Sequence, residues 1–468
     1  MGPGKAGGSN GVRVKGVGTQ SWWRSFVRSI GLGSFLGGGL WGSIPGGSFA
    51  SSLIGGRSAH NPSGPQKKRQ SGKPRIMMLI SDTGGGHRAS ARAVKEAIES
   101  LYGAKYDISI VDLWKKHTPW PYDRMPDSYS TLVKYPILWR ISFNLFKPKL
   151  THIPYLNFMS HACHNSIAQA FEEYDPDLVV SLHPLMQHAC IQILERMERK
   201  TGKPRPRFAT VVTDLTTCHP TWFHPRLDRL FVATEYCRDR AIEYGVAEEK
   251  IVVHGLPIRP AFSNPSVSKE KLRKQLKLKE GTPAVLLVGG GEGMGPVEKT
   301  VRALAKHVGA KCQVVVICGR NQALVDKLSA IDYPKGMNVI VNGFVSNMDE
   351  WMTACDAIIT KAGPGTIAEA LAVGCPILLN AFVPCQEEGN IPHVVENEVG
   401  DFEPNSDKAA QVVGRWFTDP EKLAELSRRA KALGAPQATF NIARDLIAML
   451  SMSAEELRAP SGTLAMAA

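Results

Sequence analysis

A histidine that directly follows three glycines is the first feature of the sequence that could do chemistry. Gly84, Gly85, Gly86 and His87 separate a short apolar run from a helical pattern. Backbone N–H groups at a helix start favour a negative charge, and imidazole is a general base near neutral pH. The loop also satisfies the dinucleotide pattern G-x-G-x-x-A through Ala89, so a nicotinamide enzyme stays open. The structural alternative is a tight strand–helix turn.

A second glycine-rich loop has the sequence GGGEGMG, at residues 289–295. It fits neither the dinucleotide motif nor the P-loop, because no Gly-Lys-Ser/Thr follows it. Such a loop can still cradle a phosphate or let a substrate approach the backbone, and ordinary turn chemistry is the alternative. The residues at its centre are Gly291, Glu292 and Gly293.

A third loop, KAGPGTIAEA at residues 361–370, begins where an apolar run ends. Its glycines open a helix whose start can hold a diphosphate. Glu369, one turn into that helix, is placed to accept hydrogen bonds from ribose hydroxyls, although a solvated helix face is the alternative for this residue alone. The residues at the helix start are Gly363, Pro364, Gly365 and Thr366.

Two sets of polar residues follow other apolar runs. Residues 384–390 (PCQEEGN) concentrate amides and carboxylates, which suit the hydroxyls of a sugar. Residues 214–224 (DLTTCHPTWFH) and the His183 segment each follow a strand candidate, so both should reach a cleft. Two histidines with an aspartate could suggest a metal, but no ligand spacing supports one, and no metal site is predicted.

Short apolar runs alternate with helical patterns from residue 75 onward, which is typical of βαβ units and a parallel sheet. The Lys-rich stretch 266–282 lacks the apolar runs that are typical of strands, and it separates two such series. The sequence therefore predicts an α/β protein with two Rossmann-like, doubly wound domains that face each other across a cleft. The strand candidates are 76–80, 106–111, 177–182, 208–213, 230–233, 251–253, 284–288, 313–318, 339–341, 357–360 and 377–379.

We predict three regions: a leader at 1–72, an N-terminal domain at 73–264, and a C-terminal domain at 265–468 whose final helix returns to the first domain. The 468-residue chain carries a formal charge of +13, but residues 1–72 hold nine Lys or Arg and no acidic residue. Most of the net charge thus comes from this leader, and by itself it gives no support for a nucleic-acid partner. A basic, Ser-rich, acid-free leader indicates a transit peptide, with a membrane-associating segment as the alternative.

The remaining composition excludes several classes of protein. With 43% hydrophobic and 21% charged residues, the chain is neither disordered nor fibrous. The nine cysteines have no CxxC spacing and fit a reducing compartment. Residues 114–155 interleave aromatic and basic residues, which suits an anionic bilayer surface. An insertion whose aromatic residues fill a local core is the alternative.

Eight motifs occur in order between residues 75 and 450. They are MMLISDTGGGHRASARAVKEAI, PWPYDRMPDSY, HPLMQHA, VVTDLTTCHPTWFHP, GLPIRPAF, GGGEGMG, KAGPGTIAEAL and QEEGN. Together they resemble the monogalactosyldiacylglycerol synthases of plastid envelopes, which are glycosyltransferases of family 28 with the GT-B fold. The resemblance implies an inverting transfer of galactose from UDP-galactose to diacylglycerol at a membrane surface. It also implies that 73–264 is the acceptor- and membrane-binding domain and that 265–468 is the UDP-sugar-binding domain.

The resemblance also assigns roles to residues. Arg259 would clamp the diphosphate held by Gly363, Gly365 and Thr366, and Glu369 would bind the ribose. The other donor residues would be Phe344 and Val345 at the uracil, with Gln386, Glu387 and Asn390 at the galactose. His87 would be the base or would orient the acceptor hydroxyl, with Asp214 as a second candidate. The acceptor or lipid residues would be Gly85, Gly86, Pro121, Trp139, His183 and Trp222.

The expected partners are UDP-galactose, diacylglycerol and anionic lipids, the last as an activator, together with a second copy of the chain in a homodimer. No cofactor is expected, and the expected location is the chloroplast envelope, with peripheral attachment. Gln192 departs from the family, which often has a basic residue nearby that is tied to anionic lipid. A related glucosyl- or N-acetylglucosaminyl-lipid transferase and a non-catalytic binding module stay open.

Overall fold

The computed structural model describes residues 72–453 and 456, except residues 84, 264–266, 292 and 294 and the side chains of residues 130, 131, 133 and 134. The leader through residue 71, Gly84 and Glu292 therefore lie outside the described residues. None of the helices in the described part of the chain combines the length and the apolar composition that a membrane span requires.

The first sheet has six parallel strands in the order β2-β1-β3-β4-β5-β6. These strands are β1 (Arg75–Ile80), β2 (Asp107–Asp112), β3 (Leu178–Ser181), β4 (Arg207–Val211), β5 (Arg229–Val232) and β6 (Ile251–Val253). The helices of this half are α1 (Gly85–Tyr102), α2 (Leu113–His117), α3 (Met125–Lys134), α4 (Pro136–Leu145), α5 (Lys149–Ala162), α6 (His164–Tyr174), α7 (Gln187–Thr201) and α8 (Glu235–Glu243).

The second sheet is also parallel, in the order β12-β11-β10-β7-β8-β9. Its strands are β7 (Ala284–Val288), β8 (Gln313–Ile317), β9 (Asn338–Asn342), β10 (Ala357–Lys361), β11 (Ile377–Ala381) and β12 (Gly400–Phe402). Its helices are α9 (Lys269–Gln275), α10 (Val297–His307), α11 (Gln322–Ser329), α12 (Met348–Ala354), α13 (Pro364–Val373), α14 (Asn390–Glu396), α15 (Ser406–Thr418), α16 (Pro420–Leu433) and α17 (Ala438–Met449).

The predicted fold class is confirmed, with strand ends that differ by one or two residues from the sequence prediction. The 251–253 and 284–288 strands agree fully. The sequence does not predict β12, a three-residue edge strand with no buried residue. Such a strand has too few apolar residues to show a period.

Both sheets are buried on their two faces, which explains why their strands are continuous apolar runs rather than alternating ones. Buried clusters of aliphatic side chains cover each face. The last helix, α17, leaves the second half and packs Ile442, Ala443 and Leu446 with Val94 and Ile98 of α1. Helix α17 thus connects the second half to the first by packing on α1.

The strand orders determine where a site can form. In a doubly wound sheet, ligands bind at the carboxyl ends of the strands where the order reverses. That point lies between β1 and β3 in the first sheet and between β7 and β10 in the second. The segments that follow these strands contain His87 in the first turn of α1, His183, the 289–295 glycines and the residues that open α13.

Candidate active site

His87 lies in the first turn of α1, just beyond β1. Its Nδ1 and the Thr213 hydroxyl are hydrogen-bonded at 2.9 Å, and its ring meets the edge of the His183 ring at 4.7 Å between centroids. Loss of hydration lowers the pKa of His87 to about 4, against smaller opposing effects of the Leu182 carbonyl and the Asp82 charge. The imidazole is therefore neutral at pH 7.

Asp214 follows β4, and its carboxylate is held by one strong hydrogen bond. The Trp222 indole N–H donates to Oδ2 at 2.6 Å. Burial, together with the smaller effect of the Glu387 charge, raises the pKa of Asp214 to about 7, although the Trp222 hydrogen bond opposes this rise. Among the described side chains, none donates to the other carboxylate oxygen, Oδ1.

Trp222 and His183 lie behind these two groups. Trp222 is completely buried and His183 is 4% exposed; Trp222 hydrogen-bonds Asp214, and His183 packs against His87. Gly85 and Gly86 are exposed, and a Cβ on either would have no atom within 4 Å. Open space therefore lies beside this glycine backbone, which directly precedes His87.

Arg259 and Glu369 meet in the second turn of α13. Arg259 Nε donates to Glu369 Oε1 at 2.9 Å. Burial raises the pKa of Glu369, and Arg259 opposes that shift. The helix begins at Pro364 after Gly363, and a Cβ on Gly365 would touch nothing within 4 Å. Backbone N–H groups and open space thus lie at the start of α13, and the Arg259 cation contacts the next turn of the same helix; groups of this kind bind an anionic diphosphate.

Lys361, the last residue of β10, is a charged residue for which the sequence alone gives no role. Its Nζ pairs with the Glu387 carboxylate. Its side chain also lies beneath both glycine loops, because a Cβ on Gly290 would be 3.6 Å from Lys361 Cε and one on Gly363 would be 3.0 Å from Nζ. The available signal was a lysine at the carboxyl end of a buried strand.

The 384–390 loop of the second sheet touches the Asp214 loop of the first sheet. The Thr216 hydroxyl donates to Asn390 Oδ1 at 2.7 Å, and the Gly389 N–H donates to the Thr217 hydroxyl at 3.0 Å. Asn390 Nδ2 also donates to the Ala362 carbonyl at 2.8 Å, so this buried amide positions the loop. The two halves of the site are joined by direct hydrogen bonds.

The other predicted donor residues lie along the second sheet. Phe344 and Val345 follow β9, three strands away from β10, and the Phe344 side chain is 70% exposed. Gly291 is next to Gly319, and a Cβ on Gly293 would be 2.7 Å from the Cys318 carbonyl oxygen. The structure therefore packs this glycine loop against the end of β8.

Residues 114–155 form α2, α3, α4 and the start of α5. Trp114 and Phe143 are buried, as the local-core alternative predicts. Many other apolar side chains here and along α5 are exposed by half or more: Trp120, Tyr135, Ile137, Leu138, Ile141, Leu145, Leu150 and Phe158. Pro121 is exposed next to Trp120, whereas Trp139 is half-buried.

Two family models match this chain. Residues 87–258 match the monogalactosyldiacylglycerol synthase model, and residues 284–400 match the glycosyltransferase family 28 C-terminal domain. The chain is 45% identical over 379 residues to monogalactosyldiacylglycerol synthase 1 of Arabidopsis thaliana, covering 80% of this chain and 70% of that one. It is 44% identical over 380 residues to the Spinacia oleracea synthase, covering 80% and 72%.

Solved structures share the fold at low sequence identity. MurG of Acinetobacter baumannii superposes with a TM-score of 0.50 and 13% identity, over 80% of this chain and 100% of that one. MnaA of S. aureus, in its UDP co-structure, superposes with a TM-score of 0.54 and 16% identity, over 82% and 98%. The architecture is that of a GT-B glycosyltransferase. Within that class, the chain belongs to the monogalactosyldiacylglycerol synthase family.

Proposed function

We propose that this chain transfers galactose from UDP-galactose to the free hydroxyl of diacylglycerol, with inversion at the anomeric carbon. The observation that carries the proposal is the contact between the Asp214 loop and the 384–390 loop. Glu387 is close enough to Asp214 for its charge to raise the pKa of that carboxyl. A proton acceptor and a sugar-binding loop are thus adjacent, as a single displacement requires.

The donor would lie along the second sheet. Arg259 and the N–H groups at the start of α13 would balance the diphosphate charge, which grows as the bond to galactose breaks. Glu369 would accept from the ribose hydroxyls, and the backbone at Phe344 and Val345 would read the uracil. Gln386 and Glu387 would bind the hexose hydroxyls. The protein groups alone would supply the charge, without a cofactor.

We assign the proton transfer to Asp214 and the orientation of the acceptor hydroxyl to His87. A general base works best when its pKa is near the working pH. The pKa of about 7 for Asp214 meets that condition, whereas the pKa of about 4 for His87 makes the imidazole a weak base. A neutral imidazole can still accept or donate a hydrogen bond to the hydroxyl.

The acceptor is insoluble in water, so the reaction would take place at a lipid surface. The exposed apolar side chains of α4 and α5 lie near Arg140, Lys147 and Lys149, which are themselves exposed. Apolar residues flanked by cations suit the headgroup region of an anionic bilayer. We propose peripheral attachment to the plastid envelope. Homodimer formation stays a prediction.

Glu369→Gln is expected to weaken UDP binding by about 10- to 100-fold, since hydrogen bonds to a charged group contribute more than neutral ones. The amide keeps the size of the side chain but loses the charge that pairs with Arg259. Isothermal titration with UDP measures the effect. Glu403→Gln, on a carboxylate outside the site, is the matched control. Unchanged UDP affinity in Glu369→Gln would remove this residue from the donor site.

The proposed function is tested with the full chain and diacylglycerol in anionic liposomes, with EDTA present. UDP-galactose, UDP-glucose and UDP-N-acetylglucosamine are offered separately, and new glycolipid is identified by mass. We expect a hexosyl-diacylglycerol from UDP-galactose alone. Product from another donor would change the assigned sugar, and UDP binding without product from any donor would favour a binding module.

A further inference from the structure

Helices α3 and α4, here called the helix pair, hold the 384–388 loop through three side chains. The Tyr129 hydroxyl donates to Gln386 Oε1 at 2.9 Å. The Trp139 indole N–H donates to the Pro384 carbonyl at 2.9 Å, and Arg140 donates to Glu388 Oε1 at 3.3 Å. A segment of the first half is thus hydrogen-bonded to the loop of the second half that would bind the hexose.

The Tyr129 hydroxyl stays protonated and therefore remains a hydrogen-bond donor in this contact. Burial, with the nearby charges of Glu387 and Asp214, raises the pKa of Tyr129 to about 12, so the phenol keeps its proton. The hydrogen bond leaves Gln386 with its amide oxygen oriented by the phenol. Rotation of this amide is thereby restricted, and a group that is held before the ligand arrives costs less entropy to use.

The inner face of the helix pair is continuous with the Asp214 loop. The Tyr129 ring meets Trp139 at 5.2 Å between centroids, Trp139 meets Phe143 at 5.6 Å, and Phe143 meets His219 at 4.9 Å. A movement of the helix pair therefore displaces both loops of the site as well, because closely packed rings do not deform continuously.

The outer face of α4 carries apolar side chains that nothing in the described chain covers. Ile137 is 76% exposed, Leu138 52% and Ile141 60%. At 3.6 residues per turn, these positions lie opposite Trp139 and Phe143. One short helix therefore presents its apolar side to the outside and its polar and aromatic contacts to the sugar loop.

We propose that Tyr129 is a positioning residue for the donor hexose, and that the helix pair links contact with a lipid surface to the sugar loop, so that bilayer binding tightens the binding of UDP-galactose. The inference rests on the proposed function. A lipid surface that holds the outer face of α4 also restricts the motion of the 384–388 loop, because Tyr129, Trp139 and Arg140 hydrogen-bond that loop. By thermodynamic linkage, UDP-galactose must tighten vesicle binding by the same factor.

The test measures binding without turnover. Full-length protein is titrated with UDP-galactose and with UDP, with and without phosphatidylcholine–phosphatidylglycerol vesicles that contain no diacylglycerol. We expect vesicles to lower the Kd of UDP-galactose by about five-fold, the scale of one hydrogen bond, and to leave the Kd of UDP unchanged. In Tyr129→Phe, UDP should bind normally, while UDP-galactose binds about five-fold more weakly and the vesicle effect is lost.

Tyr155→Phe is the matched control, because the Tyr155 hydroxyl contacts Met125 Sδ at 3.7 Å rather than the sugar loop. It should keep the full vesicle effect. Trp139→Phe, which keeps a ring but removes the N–H to Pro384, should reproduce the Tyr129→Phe result, and it replaces that variant if Tyr129→Phe fails to fold.

Two outcomes overturn the inference: no vesicle effect in the wild-type protein, or an equal effect in the wild type and the folded variant. The transfer assay with diacylglycerol separates this from the proposed function. Galactolipid synthesis with no vesicle effect on donor binding removes only the coupling. Vesicle-tightened binding with no galactolipid removes only the proposed transfer.

Discussion

Asp214→Asn is expected to lower kcat/KM for galactosyl transfer by about 10²- to 10⁴-fold, the usual contribution of a general base. The amide is nearly the same size, and its oxygen can still accept from the Trp222 indole, as the Asp214 carboxylate does at 2.6 Å. It cannot accept a proton from the acceptor hydroxyl. The affinity for UDP should stay within about two-fold of wild type, because the Asp214 side chain hydrogen-bonds Trp222 rather than any of the proposed donor residues, which are Arg259 after β6 and the loops of the second sheet.

The pH dependence of the wild-type protein checks the same assignment. With a pKa raised to about 7, Asp214 is protonated and inactive as a base at lower pH and becomes competent as the pH rises. We therefore expect kcat/KM to increase about ten-fold between about pH 6 and about pH 8. Asp214→Asn should give a flat profile over the same range. A flat wild-type profile, with Asp214→Asn still active, would assign the base to His87.

His87→Ala is expected to reduce transfer by about 100-fold or more while the affinity for UDP stays near normal. The substitution removes the ring that hydrogen-bonds Thr213 and packs against His183, directly after the exposed Gly85 and Gly86. It leaves the Arg259–Glu369 pair untouched. Steady-state kinetics with diacylglycerol in liposomes, together with isothermal titration of UDP, separates the two effects.

His307→Ala is the control for this variant. His307 lies on α10 and hydrogen-bonds Asp407 at 2.6 Å, outside the loops that form the site, so its removal should leave transfer unchanged. A joint loss of transfer and UDP affinity in His87→Ala would mean that His87 is structural or belongs to the donor site.

Much of the architecture follows from local pattern. Continuous apolar runs such as Ile76–Ile80 and Ala284–Val288 predict buried parallel strands, because both faces of such a sheet are covered. Parallel strands also bring their carboxyl ends to one edge, so the glycine loops and Asp214 could be expected at a cleft. The very short strand β12 could not be predicted from such a pattern, since none of its three residues is buried.

The contacts that hold the two proposed catalytic groups, Asp214 and His87, could not be predicted in the same way. Trp222 is close to Asp214 in the chain and has an apolar ring suited to an acceptor, yet its indole is buried and holds the carboxylate. His183 is likewise packed behind His87. Which side of a loop faces the cleft depends on how the neighbouring helices pack, and residue type does not encode it.

The sequence by itself determined two doubly wound sheets, the loops that leave their strands, and the residue types available for binding a diphosphate, a sugar and a hydroxyl. Only the tertiary structure joined Lys361 to Glu387, Thr216 to Asn390, and Tyr129 to Gln386 across 257 residues of chain. Local periodicity reports burial within one element. Contacts between distant loops depend on the packing of whole elements, here including the return of α17 onto α1, and no single segment encodes that packing.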